Sequence, residues 1–251
     1  SVCRGCCYCI LDGSGKLPPE VKMPVVEPRA GKASLIPPKY PKKQTFTKYD
    51  DLKGASSSYL DDVSEEILES YEKYYHSAYE DINYYARTKK FGKGWSQSLK
   101  DNTVKRYNDM VKDFANQPGF KGTSYRGSGQ WSRKEFAERL AVYEENVGGM
   151  ITEDMFFSSS VRPEFAAEWR AAAHDFRIEF TIKGKTGVVP NGLEMSAAES
   201  EVLFNAHTQY EVVSVTRSAS TKSTWANLVD SGSLAHDKVF EEVAHVVLRE
   251  I

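Results

Sequence analysis

The stretch Ala198-Glu199-Ser200-Glu201-Val202-Leu203-Phe204, followed after a short gap by Tyr210-Glu211-Val212-Val213, reads as a turn feeding a β-strand, a polar kink at Asn205-Ala206-His207, and a second strand. Val202, Leu203 and Phe204 are apolar and partly β-branched, which suits a buried strand. Two carboxylates stand two residues apart where that strand begins. In extended backbone such residues share a face, so Glu199 and Glu201 are expected to point the same way at a spacing of ~7 Å. Like charges at that distance repel, and a fold keeps them mainly where it uses them. A lone Glu-x-Glu is ordinarily a solvated pair at a loop–strand junction, so the weight falls on what the rest of the chain supplies.

Strand patterns flank this stretch on both sides. Residues 123–127 read as a short strand ending in a Gly-rich turn, 155–161 as a strand with a run of hydroxyls, and 176–182 as an alternating strand. Further strands are expected at 209–215 and 239–248, with helices at 134–143 and 165–173. Upstream, Leu60, Val63, Ile67, Leu68, Tyr71 and Tyr75 recur at three- and four-residue steps, predicting one amphipathic helix that opens near Ser56. A second helical stretch carries Tyr79, Ile82, Tyr84 and Tyr85, and a third covers 99–114 before Asn116-Gln117-Pro118-Gly119. The aromatic stripes keep helical spacing and interleave with acids, so they read as core. The class is α+β, with N-terminal helices followed by a two-sheet β core of about six or seven strands.

The 251 residues carry a net charge of −2, which gives no case for nucleic acid or an anionic membrane as partner. The composition, 40% hydrophobic and 12% aromatic, is that of an ordinary globular chain. No apolar run reaches the roughly eighteen residues of a membrane span, and no signal-peptide h-region is visible, which leaves export without a cleaved signal open. Residues 1–55 are expected to be a flexible arm or linker, with the folded domain at 56–251. Seven of the ten prolines lie in that arm, and up to residue 56 Lys and Arg outnumber acids ten to five. All four cysteines, Cys3, Cys6, Cys7 and Cys9, fall there too, so the main domain is not disulfide-stapled. Their short spacing could hold zinc or carry acyl chains, although a reduced tag accounts for it more simply.

Three separated pieces stand together: Tyr125-Arg126-Gly127, Phe157-Ser158-Ser159-Ser160 and Glu199-Ser200-Glu201. In order and spacing they resemble the arginine–serine–glutamate class of mono-ADP-ribosyltransferases, which includes actin-modifying binary toxins and arginine-specific ecto-transferases. Ser158-Ser159-Ser160 stands where that family usually has Ser-Thr-Ser, and the exchange keeps the hydroxyl. Ala78-Tyr79-Glu80-Asp81-Ile82-Asn83-Tyr84-Tyr85-Ala86-Arg87 is similar to the family's helix closing one side of the NAD site, and the resemblance spans about residues 56 to 251. It implies an ADP-ribosyltransferase-like fold and NAD as substrate, with no metal expected. The binding set it implies is Arg126, Tyr125, Gly127, Ser158, Ser160, Glu201 and Tyr79.

Each residue type has a chemical reason. The planar fork of Arg126 can hold pyrophosphate oxygens bidentately. Cleaving the nicotinamide–ribose bond builds an oxocarbenium-like charge, as in glycoside hydrolysis, and a carboxylate beneath it stabilises that state. The resemblance gives this task to Glu201, the orienting hydrogen bond to Ser158, and the incoming nucleophile to Glu199. Trp169 and Phe165 fall where the family has its nicotinamide-side loop, while His207 has no part in the chemistry and reads as structural. The implied protein is a bacterial toxin or effector, secreted or injected, that modifies a host protein in the cytosol. The expected acceptor is an arginine, on a target such as actin or a Rho-type GTPase. An NAD glycohydrolase on the same fold and a non-enzymatic metal-binding interaction module are the alternatives.

Overall fold

The computed structural model describes residues 44–168, 174–189, 200–219, 221–225 and 238–251. A two-residue strand β1 (Thr45–Phe46) leads into helices α1 (Tyr49–Leu60) and α2 (Glu65–Lys73). A single π-helical turn (Tyr74–Ala78) then joins α2 to α3 (Tyr79–Thr88), and α4 (Gln97–Asp113) follows. The rest is mainly strand: β2 (Gly119–Gln130), β3 (Met150–Glu153), β4 (Phe157–Ser160), β5 (Phe176–Gly187), β6 (Glu201–Phe204), β7 (Thr208–Arg217) and β8 (Glu242–Glu250). Helices α5 (Arg133–Glu144) and α6 (Pro163–Glu168) interrupt them. The class is α+β as expected, with seven strands from Gly119 onward among the described residues.

The expected helix over 57–75 is two helices. Ser64 adopts extended backbone and starts a new helix whose first turn carries Glu65 and Glu66, acids that suit the positive helix N-terminus. The first helix begins at Tyr49, and β1 pairs with the start of β2, so packed chain begins ahead of Ser56. Helices α4 and α5 open on capping serines: Ser96 Oγ accepts from Leu99 N, and Ser132 Oγ from Glu135 N, both at 3.2 Å. Glu135 in turn accepts from Trp131 N at 3.0 Å, so orphan donors at that helix start are met from both sides.

The strands join in one hydrogen-bonded path, β3-β7-β8-β5-β2-β4-β6. The two-layer core arises because this path folds over on itself. Phe157 of β4 and Phe204 of β6 meet Tyr210 of β7 at ring distances of 6.2 and 5.9 Å, and Phe157 meets Phe180 of β5 at 5.7 Å. The interior is filled by Phe176, Ile178, Phe180 and Ile182 of β5, alternate residues of one strand, with Val246 and Leu248 of β8. Helix α5 covers it through Phe136, Leu140 and Tyr143. A second core lies between α2–α4 and the sheet, where Tyr74, Ile82, Tyr107 and Met110 pack on Phe156, Val188 and Leu203.

The Gly-rich turn expected after residue 127 is instead continuous strand: Gly127, Ser128 and Gly129 pair with Glu179, Ile178 and Arg177. A side chain at Gly127 would collide with Arg177 and with the Ala166 carbonyl, so glycine serves close approach here. Truncating the central ring of the interior, Phe180→Ala, is expected to cost about 3–5 kcal/mol, measured by urea unfolding. A loss below about 1 kcal/mol would show that the two layers do not depend on that ring.

Candidate active site

The three motifs of the sequence are placed by one register. Ser160 of β4 is the Cα partner of Tyr125 of β2 on one side and of Glu201 of β6 on the other. Alternation along β4 and β6 then puts Ser158, Ser160 and Glu201 on one face, and Phe157, Ser159, Val202 and Phe204 on the opposite face, in the interior. Ser159 is fixed from that side, donating to the Val202 carbonyl at 2.9 Å and lying 2.8 Å from Ser124 Oγ. The middle hydroxyl of the serine run is therefore structural, and its neighbours face the site.

Ser158 Oγ donates to Glu201 Oε1 at 2.5 Å. Glu201 is only 5% exposed, so this is a charge-assisted bond in a largely dry setting, stronger than a neutral one. Arg126 alternates to the other face of β2 from Tyr125. There it is 4% exposed, its guanidinium lies 4.5 Å from the Phe157 ring centre, and Nη1 donates to the Ser158 carbonyl at 2.5 Å. Arg126 thus holds the backbone of the residue whose hydroxyl holds Glu201. Between β2 and β4 only Tyr125 and Ser160 pair among the described residues. Beyond that pair the short helix α6 lies against β2, carrying Phe165 half-buried.

Glu201 opens its strand through a turn. Ser200 has φ +48°, in the left-handed region, and its carbonyl accepts from Val161 N at 3.1 Å. The backbone is therefore not extended through Ser200, and the same-face argument for the two glutamates does not hold across it. Glu199 itself lies outside the described residues, as does Trp169. Tyr79 sits in the helical core at 9% exposure, its hydroxyl donating to Glu80 at 2.7 Å. His207 lies 2.9 Å from the Tyr107 hydroxyl, 3.1 Å from Lys89 Nζ and 3.0 Å from Asp154, joining α4 and the end of α3 to the β6–β7 turn.

Two residues near the motifs were given no individual role by the sequence. Tyr49 of α1 donates to the Glu201 main-chain carbonyl at 3.3 Å. Burial raises its phenol well above the usual range, and the Glu201 charge adds to that. Asn83 of α3, buried, accepts from Phe156 N and donates to Tyr74, both at 3.1 Å, which docks the helix beside the start of β4. Among the described residues, no cluster of His, Cys, Asp and Glu could hold a metal ion, and no helix is long and apolar enough to cross a membrane. The four cysteines lie outside the described residues.

Residues 43–231 match the family described as ADP-ribosyltransferase exoenzyme. No curated protein matches the chain. Among solved structures it is similar to Vis toxin, an ADP-ribosyltransferase from Vibrio splendidus, with 20% identity over 81% of each chain and a TM-score of 0.56. Vis has also been solved with agmatine. The enzymatic component C2-I of the C2 toxin from Clostridium botulinum aligns at 14% identity and TM-score 0.55, over 83% of this chain and 50% of that one. The ADP-ribosylating toxin BECa of C. perfringens, solved with NADH, aligns at 15% identity and TM-score 0.52, over 79% of this chain and 47% of that one.

Tyr49, Tyr71, Tyr143 and Tyr210 are all held above the ordinary phenol value of 10.0, with burial the largest cause in each. An unfolded chain releases these protons near pH 10, so above that pH the native state binds more of them than the unfolded state does. Their stabilisation is complete below about pH 10 and declines as the pH rises further. Melting temperature is expected to fall steeply between about pH 10 and 11.5, with these tyrosines ionising only as the chain unfolds. Full tyrosinate absorbance in a still-folded protein would contradict this.

Proposed function

The chain belongs to the ADP-ribosyltransferase exoenzyme family and is an NAD-dependent mono-ADP-ribosyltransferase; from that premise we propose that it transfers ADP-ribose to an arginine of a host protein, with Glu201 at the reacting centre. The observation that carries the residue assignment is the 2.5 Å bond from Ser158 to a nearly buried Glu201 carboxylate. Such a carboxylate, fixed before substrate arrives, stabilises positive charge on the ribose without reorganising during reaction.

In the proposed reaction the bond between ribose C1′ and the nicotinamide nitrogen breaks, and nicotinamide leaves with the electron pair. A guanidino nitrogen of the acceptor forms the new bond to C1′ and gives up one proton. Glu201 lies under the charge that develops on the ribose and accepts from its hydroxyl. Ser158 keeps that carboxylate oriented, and Arg126, turned to the interior face of β2, steadies Ser158 through its carbonyl. Tyr125, Gly127 and Ser160 border the same site, and Tyr79 stands on the helix beside it. Glu199 receives the acceptor and its proton.

The binding of agmatine, a small guanidine, by Vis supports a guanidino acceptor, and the NADH bound to BECa supports a nicotinamide dinucleotide in this fold. We further propose that the protein is a secreted or injected toxin acting in the host cytosol, on a target such as actin or a Rho-type GTPase. Of the arm expected at 1–55, the part ahead of β1 would then be its linker.

Biotinylated NAD incubated with host lysate is expected to leave a discrete labelled band, absent with Glu201→Ala, whose NAD cleavage should fall by about 10²–10³-fold. Free nicotinamide without labelled protein would favour a glycohydrolase. Glu199→Ala should lose transfer while retaining part of the hydrolysis, and equal loss of both would refute the division of roles. Ser158→Ala, which removes a hydrogen bond to a charged group worth about 1.5–3 kcal/mol, should lower kcat by about 10–100-fold with little change in KM for NAD.

A further inference from the structure

Strand β5 alternates apolar and charged residues, as a half-exposed strand would, yet over residues 176–180 both of its faces are covered. Arg177 and Glu179 are each 0% exposed. Two buried charges carry a desolvation cost of several kcal/mol apiece, which is met only when geometry and hydrogen bonding are nearly complete. Here Arg177 Nε donates to Glu179 Oε1 at 2.9 Å, and Nη2 donates to the Ala166 and Ala167 carbonyls at 2.6 and 2.8 Å. Glu179 also accepts from Ser223 Oγ at 2.5 Å, from Thr224 N at 2.7 Å and from the Thr224 hydroxyl.

The groups held by this pair share a location. Ala166 and Ala167 lie in α6, and residues 223–225 carry Trp225, whose ring meets Tyr125 edge-on at 5.6 Å. Glu179 is the Cα partner of Gly127, and any Cβ at Gly127 would collide with Arg177 Nη2 and the Ala166 carbonyl. The pair thus fastens two separate segments onto the part of β2 that carries Tyr125 and Gly127. Stability alone does not account for it, because well-packed apolar side chains commonly serve as well as a buried ion pair.

We propose that Arg177 and Glu179 are positioning residues: they fix the wall formed by α6 and residues 223–225 against Tyr125 and Gly127, and through that wall set how tightly NAD is held. This rests on the reading of Tyr125 and Gly127 as cofactor-binding residues. Arg177 acts through the segments it holds. A lysine at 177 keeps the charge but lacks the fork that reaches a carboxylate and two carbonyls at once.

The test compares wild type, Arg177→Lys, Gly127→Ala, the double variant and Thr224→Val in NAD cleavage, together with amide hydrogen exchange. Arg177→Lys is expected to raise KM for NAD about tenfold, the scale of one charged hydrogen bond, with kcat changed less than about threefold. Gly127→Ala should raise KM similarly, and the double variant should fall short of the product of the two, because the residues touch. Thr224→Val, which deletes one hydroxyl donor, should raise KM by about threefold and covers the case in which Arg177→Lys does not fold. Exchange over residues 163–168 and 223–225 should accelerate in Arg177→Lys while the rest of the sheet stays protected. Unchanged KM in the folded variants, or exchange that accelerates uniformly, overturns the proposal. If wild type cleaves no NAD, the reading of the site fails separately, and the exchange pattern alone decides whether the clamp exists.

Discussion

The structure depends on the pairing of Ser160 with Tyr125 on one side and Glu201 on the other. Three segments far apart in the chain become neighbours through that single row of the sheet. A slip of one residue in β4 would reverse the faces of its side chains. Ser158 and Ser160 would then enter the apolar interior, and Phe157 and Ser159 would replace them at the site. The slip is opposed from both sides: Phe157 packs on Phe180 and Tyr210, and the Ser159 hydroxyl is bonded to Ser124 and the Val202 carbonyl. The interior residues thereby set the register that aligns the exposed chemistry.

Around that row the fold gathers charge into places with little water. Glu201 keeps Ser158 as donor, and Arg126 is shared between the Phe157 ring and the Ser158 carbonyl. Arg177 and Glu179 are enclosed entirely, with Ala166, Ala167, Ser223 and Thr224 completing their bonding. Each of these charges is joined to partners on an element other than its own. That arrangement stiffens the site, since moving any partner leaves a buried charge less well satisfied. The helical layer contributes in the same way: Tyr49 meets an edge carbonyl at Glu201, and Asn83 binds Phe156 N.

Local patterns in the chain translated well where one force acts alone. The helical stretch 99–114 ahead of the breaker Asn116-Gln117-Pro118-Gly119 became α4, and the apolar run Val202-Leu203-Phe204 became β6. They misled where a contact from elsewhere intervenes. Gly127-Ser128-Gly129 looks like a turn, but glycines are present because Arg177, Ala166 and His174 approach β2 there. Arg177 and Glu179 look like the solvated side of an alternating strand until the segments covering them are seen. Glu199 and Glu201 look like neighbours on one face, yet the left-handed Ser200 turns the backbone between them.

The sequence by itself determined the class, the order of helices before strands, and the three motifs with the chemistry their side chains can perform. It did so because helical period, strand alternation and the reactivity of carboxylates, hydroxyls and guanidinium groups are local properties. Tertiary structure alone decided which of those side chains meet. It set Ser158 against Glu201 with Ser159 turned inward, turned Arg126 onto the Ser158 carbonyl, drew Tyr49 from the N-terminal helix to β6, and buried Arg177 against Glu179. Strand register and the docking of α6 onto β2 are contacts between residues distant in the chain, and no local spacing encodes them.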